Sequence, residues 1–162
     1  MLATDDKEHT AWQEGIKQGN TEILKELWNC AKKELNTEKL YNELLLAKFD
    51  GKTTAWHVAA IMGNAEILED LWDWAKEIER TYEINKNLLL ARDRKERTAL
   101  HVATLWSRID VLEKLWEFAN EETTMAEVVK TIVSHRQLGS NRMATCGDTW
   151  LYIFISATIG VG

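Results

Sequence analysis

Proline is missing from this 162-residue chain, and cysteine is scarce, with only Cys30 and Cys146. Without proline the strongest helix breaker is gone, which suits a mostly helical chain. Two cysteines build neither a disulfide framework nor, alone, a zinc site, so a reducing intracellular compartment, the cytoplasm, is the expected setting. An excess of positive charge is missing too. A net charge of −6 and a pI near 5.3 argue against nucleic acid or an anionic membrane as a general partner. The apolar stretch Trp150 to Val161 is twelve residues, against the ~20 needed to span a bilayer. The N-terminal MLATDDKEHT lacks the basic and apolar regions of a secretory signal. There is no G-x-x-x-x-G-K-[ST] loop, no strand-bound G-x-G-x-x-G and no G-x-S-x-G elbow, so catalysis and a cofactor are not expected.

What the chain does have is a repeat. DGKTTAWHVAAIMGNAEILEDLW, from Asp50 to Trp72, falls on RKERTALHVATLWSRIDVLEKLW, from Arg94 to Trp116, when moved 44 residues forward. Moved 44 back, it falls on DKEHTAWQEGIKQGNTEILKELW, from Asp6 to Trp28. Eight tryptophans is a high count for this length, and the repeat places most of them. Trp28, Trp72 and Trp116 share one position; Trp12 and Trp56 share another with Leu100. Aromatic residues recurring at a repeat spacing are expected in the core.

Each unit reads as a helix pair. In the first, a short helix from about Thr10 to Gln18 ends at Gly19-Asn20, since both residue types tolerate positive φ. Thr21 then caps a second helix whose stripe is Ile23, Leu24, Leu27, Trp28 and Ala31, and Leu44 to Ala47 close the unit as a short apolar run. The second unit has Asp50-Gly51 as the turn before its first helix and Gly63-Asn64 as the turn inside the pair. Its outer stripe of Ile67, Leu68, Leu71, Trp72, Ala75, Ile78 and Tyr82 runs about four turns. The third carries Ile109, Val111, Leu112, Leu115, Trp116 and Ala119, but has Ser107-Arg108 where Gly63-Asn64 stood. That inner turn is expected to be strained or to use another geometry.

The residues Thr54-Ala55-Trp56-His57, Ala59-Ala60, Gly63-Asn64, Ile67-Leu68 and Leu71-Trp72 resemble the ankyrin repeat, and Thr98-Ala99-Leu100-His101 with Ala103 is similar. The resemblance covers about residues 6 to 120. It implies an all-α fold, an α-solenoid of stacked helix-turn-helix repeats with short turn tips. The expected organisation is three units of about 4–47, 48–91 and 92–135, the array proper filling 1–122. A further helix and a degenerate or truncated terminal repeat follow in 123–162. Two departures stand out. Alanine replaces the family's proline at Ala11, Ala55 and Ala99, and the unit exceeds the family norm of roughly 33 residues by about eleven. The surplus, between Lys76 and Asn87, is expected to lengthen the outer helix by two to three turns and add a linker. An unrelated α-solenoid is the competing fold.

The resemblance also assigns structural work to Thr54, Trp56, His57, Gly63, Leu71, Trp72, Thr98, His101 and Trp116. The histidines at that position in the family bond backbone groups of neighbouring turns. No Cys, Asp or Glu recurs beside His57 and His101 at ligand spacing, so no metal is expected. Partner contacts, by the same resemblance, fall on the turn tips and the exposed face of the inner helices. Here those positions are Lys52, Arg94, Lys95 and Arg97 on the tips, and Ile61, Met62, Leu105 and Trp106 on the helices. Lys17 and Gln18 stand at the equivalent positions of the first unit. The tip from Arg92 to Arg97 has four basic and two acidic residues, a distribution suited to steering an acidic segment. The expected function is a protein-interaction scaffold that binds another protein on its concave face. The alternative is a non-binding structural fragment of a longer array.

Overall fold

The computed structural model describes residues 10–49, 52–78 and 81–121, with 81–84 and 121 given by backbone alone. The expected Asp50-Gly51 turn, the start of the first repeat, and the helix and terminal repeat expected in 123–162 lie outside these residues. Within them the chain is two layers of helices. An inner layer holds α1 (Ala11–Gln18), α4 (Ala55–Met62) and α7 (Ala99–Leu105). An outer layer holds α2 (Thr21–Glu34), α5 (Ala65–Lys76) and α8 (Ile109–Glu121). Each helix packs on its partner within the pair and on its equivalent in the adjacent unit.

The inner helices start by one device. Thr10, Thr54 and Thr98 sit in extended backbone and form capping boxes with Gln13, His57 and His101, three residues on. In the first unit the Thr10 hydroxyl accepts from the Gln13 amide at 3.2 Å, and the Thr10 amide donates to Gln13 Oε1 at 3.0 Å. In the second the Thr54 amide donates to His57 Nδ1 at 3.3 Å. Such a box satisfies two of the four donors that a helix start leaves unpaired. The outer helices begin differently from expectation. The cap is Asn20 rather than Thr21: its side chain accepts from the Ile23 amide at 3.1 Å, and Asn64 repeats this with Ile67 at 3.0 Å. Thr21 is the first helical residue.

The surplus of about eleven residues is placed otherwise than the sequence predicts. The second outer helix ends at Lys76, and a separate helix, α6 (Thr81–Leu90), carries Leu88 and Leu89 into the core. In the first unit the equivalent stretch is a single helical turn, α3 (Thr37–Lys39), running into π-helix at Leu40–Leu45. The unit is therefore three-helical. Of the apolar runs that close the units, Leu44, Leu45, Leu88 and Leu89 are buried at the ends of these extra helices, and Ala47 and Ala91 lie just past them. After the first of them, β1 (Lys48–Phe49) pairs antiparallel with β2 (Thr53–Thr54), Lys48 opposite Thr54 and Phe49 opposite Thr53.

The core between units is aromatic. Trp28 of the first unit stacks on Trp74 of the second at 5.1 Å between ring centroids, and Trp72 stacks on Phe118 of the third at 4.7 Å. Trp12 lies 5.4 Å from Trp74, and Trp56 lies 6.1 Å from Phe118. The same triad is thus built twice in one register. Aromatic pairs of this kind contribute ~0.5–1.5 kcal/mol beyond the area they bury. The Trp12 ring also donates to the Leu44 carbonyl at 3.0 Å, tying the inner helix to the extra one.

Two apolar residues placed on helix stripes by their spacing prove exposed. Ile67, Asp70 and Trp74 lie on the side of α5 facing the preceding unit; the equivalent side of α2 has Ile23, Glu26 and Cys30. No unit precedes it among the described residues, so Ile23 is exposed where Ile67 and Val111 are buried. Ile109 is the first residue of α8. Helical side chains lean toward the N-terminus, so this one projects past the end of the core.

Candidate protein-docking surface

The inner turns decide what the solvent sees. At Gly19 and Gly63 the backbone is left-handed, with φ of 72° and 76°, the conformation that costs an L residue most and glycine least. A side chain there would also crowd the tip of a flexible side chain from the next unit. A Cβ on Gly63 would meet Cδ of Arg108 at 2.9 Å, and one on Gly19 would meet the Asn64 amide nitrogen at 3.0 Å. The second residue of each turn thus lies over the glycine of the preceding one. In the third unit Ser107 takes the left-handed position, with φ 53°, in place of glycine. Arg108 offers no acceptor for capping α8; its Nε donates back to the Ile61 carbonyl at 3.1 Å. The backbone turn is otherwise kept, with the Arg108 amide donating to the Ala103 carbonyl at 2.9 Å as the Asn64 amide does to Ala59 at 3.0 Å. Of strain or another geometry, it is strain, on Ser107, that is found.

Next to that turn the chain leaves four large apolar side chains uncovered. Trp106 is 54% exposed, Met62 52%, Leu105 42% and Ile109 56%. Met62 and Trp106 hold one repeat position, 44 residues apart. Ile61 is half-buried and packs against the core, and its carbonyl is taken by Arg108. The patch stops at the first unit. There the Lys17 ammonium sits 5.9 Å from the centre of the Phe49 ring, and Gln18 donates to Glu14 at 2.9 Å.

The tips lie at the other end of the same helices. Asp93, 5% exposed, organises the third one. Its carboxylate accepts from the Lys95 and Arg97 amides at 2.8 and 2.9 Å and from the Arg97 guanidinium at 2.9 and 2.6 Å. Burial pushes the Asp93 carboxyl up, but the Arg97 guanidinium and the two backbone donors outweigh it and hold it below the usual carboxylate value. Glu96 takes the left-handed position of this turn, with φ 58°, and pairs with Lys52 at 3.2 Å and Arg92 at 3.6 Å. Arg97 and Lys52 are therefore engaged in holding the tips. Arg94 and Lys95 stay exposed, and no ion pair forms on either among the described residues.

His57 is buried and built into the stack. Its Nδ1 faces the Thr54 amide and hydroxyl, and Nε2 donates to the Arg97 carbonyl at 2.8 Å, so the neutral ring with hydrogen on Nε2 fits both contacts. Burial lowers its pKa below the ordinary 6.5, and the Arg97 carbonyl only partly offsets that. His101 repeats the contacts with Thr98 at 3.3 and 2.8 Å. Thr54, Trp56, Leu71, Trp72, Thr98 and Trp116 are all buried. Among the described residues no group of three His, Cys, Asp or Glu side chains is placed to hold a metal ion. None of the helices among them is long and apolar enough to cross a membrane.

A family model described as ankyrin repeats (3 copies) matches residues 15–125. The chain is an ankyrin-repeat protein. No curated protein and no solved structure matches it. Ankyrin repeats are generally protein-interaction modules, and the family is typically a non-enzymatic scaffold. In this ankyrin array the sequence-predicted contact residues fall into two groups rather than one continuous surface. Met62, Leu105 and Trp106 gather at the C-terminal ends of the inner helices; Lys52, Arg94, Lys95 and Arg97 gather at the N-terminal ends, ~12 Å away along an eight-residue helix. Ile109 and Arg108 join the first group unpredicted. The signal for Arg108 was present, since Asn20 and Asn64 hold its position in the other units. Trp74 and Phe118 were also readable as stacking residues from their 44-residue spacing.

Proposed function

We propose that this ankyrin-repeat protein is an intracellular interaction module that docks another protein along its inner helices, with Trp106, Leu105 and Met62 as anchors. One observation carries the reading. Seven tryptophans lie among the described residues; six are no more than 6% exposed, and Trp106 is 54% exposed. A tryptophan left in water beside a leucine and a methionine gives up the burial that its six counterparts obtain, and large aromatic anchors of this kind dominate binding energy in protein interfaces, at ~2 kcal/mol or more each.

The test is site-specific photo-cross-linking in the full chain, with the photoreactive residue at Met62 or, as a control, at Asp73 on the exposed side of α5. Cross-linked products specific to position 62, and lost when Trp106→Ala is added, are expected. Identical products from both positions, or none from position 62, would refute the docking reading.

A further inference from the structure

We infer that the partner presents an acidic segment carrying a large apolar anchor, laid so that its carboxylates meet the tip and its anchor meets Trp106. This rests on the docking reading above and adds the partner's chemistry.

The charges along the surface have an order. Helices α4 and α7, with sequences AWHVAAIM and ALHVATL, contain no Asp, Glu, Lys or Arg. Charge is therefore confined to the two ends. At the tip, Lys52 and Arg97 are engaged by Glu96 and Asp93, which leaves Arg94 and Lys95 as exposed cations with no ion pair among the described residues. The chain as a whole is acidic, with a net charge of −6. A basic partner would be drawn to that net charge, and a second copy of this chain would be repelled by it. Lys33, Lys39 and Lys48 are also exposed without an ion pair among the described residues. Arg94 and Lys95, however, are the adjacent pair of such cations on the tip that leads into the helix ending at Leu105 and Trp106, so an acidic segment engaging that surface meets them. At the opposite end Arg108 and Asp110 are both exposed and stand two residues apart, so the turn carries no net charge and the apolar side chains dominate.

Geometry sets the spacing. The helix between the tip and the apolar group, eight residues in α4, spans ~12 Å. A partner spans this with three to four extended residues at ~3.3 Å each, or with about two helical turns at ~5.4 Å each. Its acidic residues and its anchor should stand at one of those separations.

The probe is a random dodecapeptide display library, selected on the full chain and counter-selected on Trp106→Ala. We expect Trp106-dependent peptides with Asp or Glu at such a distance from a bulky apolar residue. Synthetic copies should bind at least about tenfold more weakly to the folded Arg94→Glu/Lys95→Glu variant, and should weaken as salt rises and screens the contact. Trp106-dependent peptides that are neutral or basic, and indifferent to the charge reversal, would overturn this inference while leaving the docking surface standing. If no Trp106-dependent peptide emerges, the docking reading itself falls. Self-association through Trp106, or oligonucleotide binding lost in the double variant, would assign the surface to a different partner and overturn the inference.

Discussion

At Gly63-Asn64 the backbone goes left-handed on a glycine, an asparagine caps the outer helix, and a side chain from the next unit lies over the turn. At Ser107-Arg108, one repeat later, a serine bears the left-handed strain and arginine stands at the cap position with its side chain turned back onto the preceding unit. The residues flanking the two turns differ as well. Met62, itself 52% exposed, and Ala65 flank the former; Trp106 and Ile109, 54% and 56% exposed, flank the latter, so the second turn shows two exposed apolar side chains where the first shows one. One turn follows the rules of the stack. The other gives up local stability and displays more apolar surface, the pattern expected where a position serves recognition rather than packing.

The sharpest way to break the comparison is to empty the stack side. Trp72 is buried against Trp56 and Phe118, so Trp72→Ala is expected to cost about 3–5 kcal/mol. Urea unfolding followed by far-ultraviolet circular dichroism would measure it; a loss below about 1 kcal/mol would mean that the aromatic triads are not what holds adjacent units together.

The turns come next. Gly63→Ala should destabilise by about 1–2 kcal/mol, from the left-handed φ and the crowding against Arg108. Ser107→Gly should do the reverse and gain about 0.5 kcal/mol, the relief of strain exceeding the added chain entropy. If the two substitutions shift stability in the same direction, the turns are not equivalent.

Acid provides a subtler probe. Because burial lowers the His57 pKa in the folded state, the unfolded chain binds a proton first as pH falls. Stability from this group is complete above about pH 6.5, the ordinary value, and declines below it. Protonation would also remove the Nδ1 acceptor of the capping box. His57→Gln, which copies Gln13 at the same position of the first unit, should flatten the dependence of the urea midpoint on pH between about 6.5 and 5. An unchanged slope would place the acid sensitivity elsewhere.

Much of this was legible in the residues, for a physical reason. A repeat applies one set of packing constraints several times, so Thr54, His57, Gly63 and Trp72 can be read against their counterparts one period away. The pair boundaries and the buried tryptophans followed from that; the exposure of Met62, Leu105 and Trp106 followed from the resemblance to the ankyrin family, which implied it for the half-buried Ile61 as well. What was not legible arose where helical period alone is ambiguous. Ile78, Tyr82 and Ile84 continue a helical pattern, yet the outer helix stops at Lys76 and starts anew at Thr81. No periodicity distinguishes a long helix from a broken one that keeps phase. Arg97 and Lys52 look like free tip cations in the sequence, but Asp93 and Glu96 engage them; the first pairing is set by a local backbone turn, and the second joins two residues at one repeat position, 44 apart. Ile109 fits the stripe and fails only because it is the first residue of its helix.

The most direct test of the central claim is Trp106→Ala, measured for stability and for partner cross-linking on the same preparation. The account predicts an unfolding free energy within about 0.5 kcal/mol of the unmodified chain, as for an exposed site, together with loss of the position-62 cross-link. A destabilisation approaching that of Trp72→Ala would contradict it, because Trp106 would then belong to the stack.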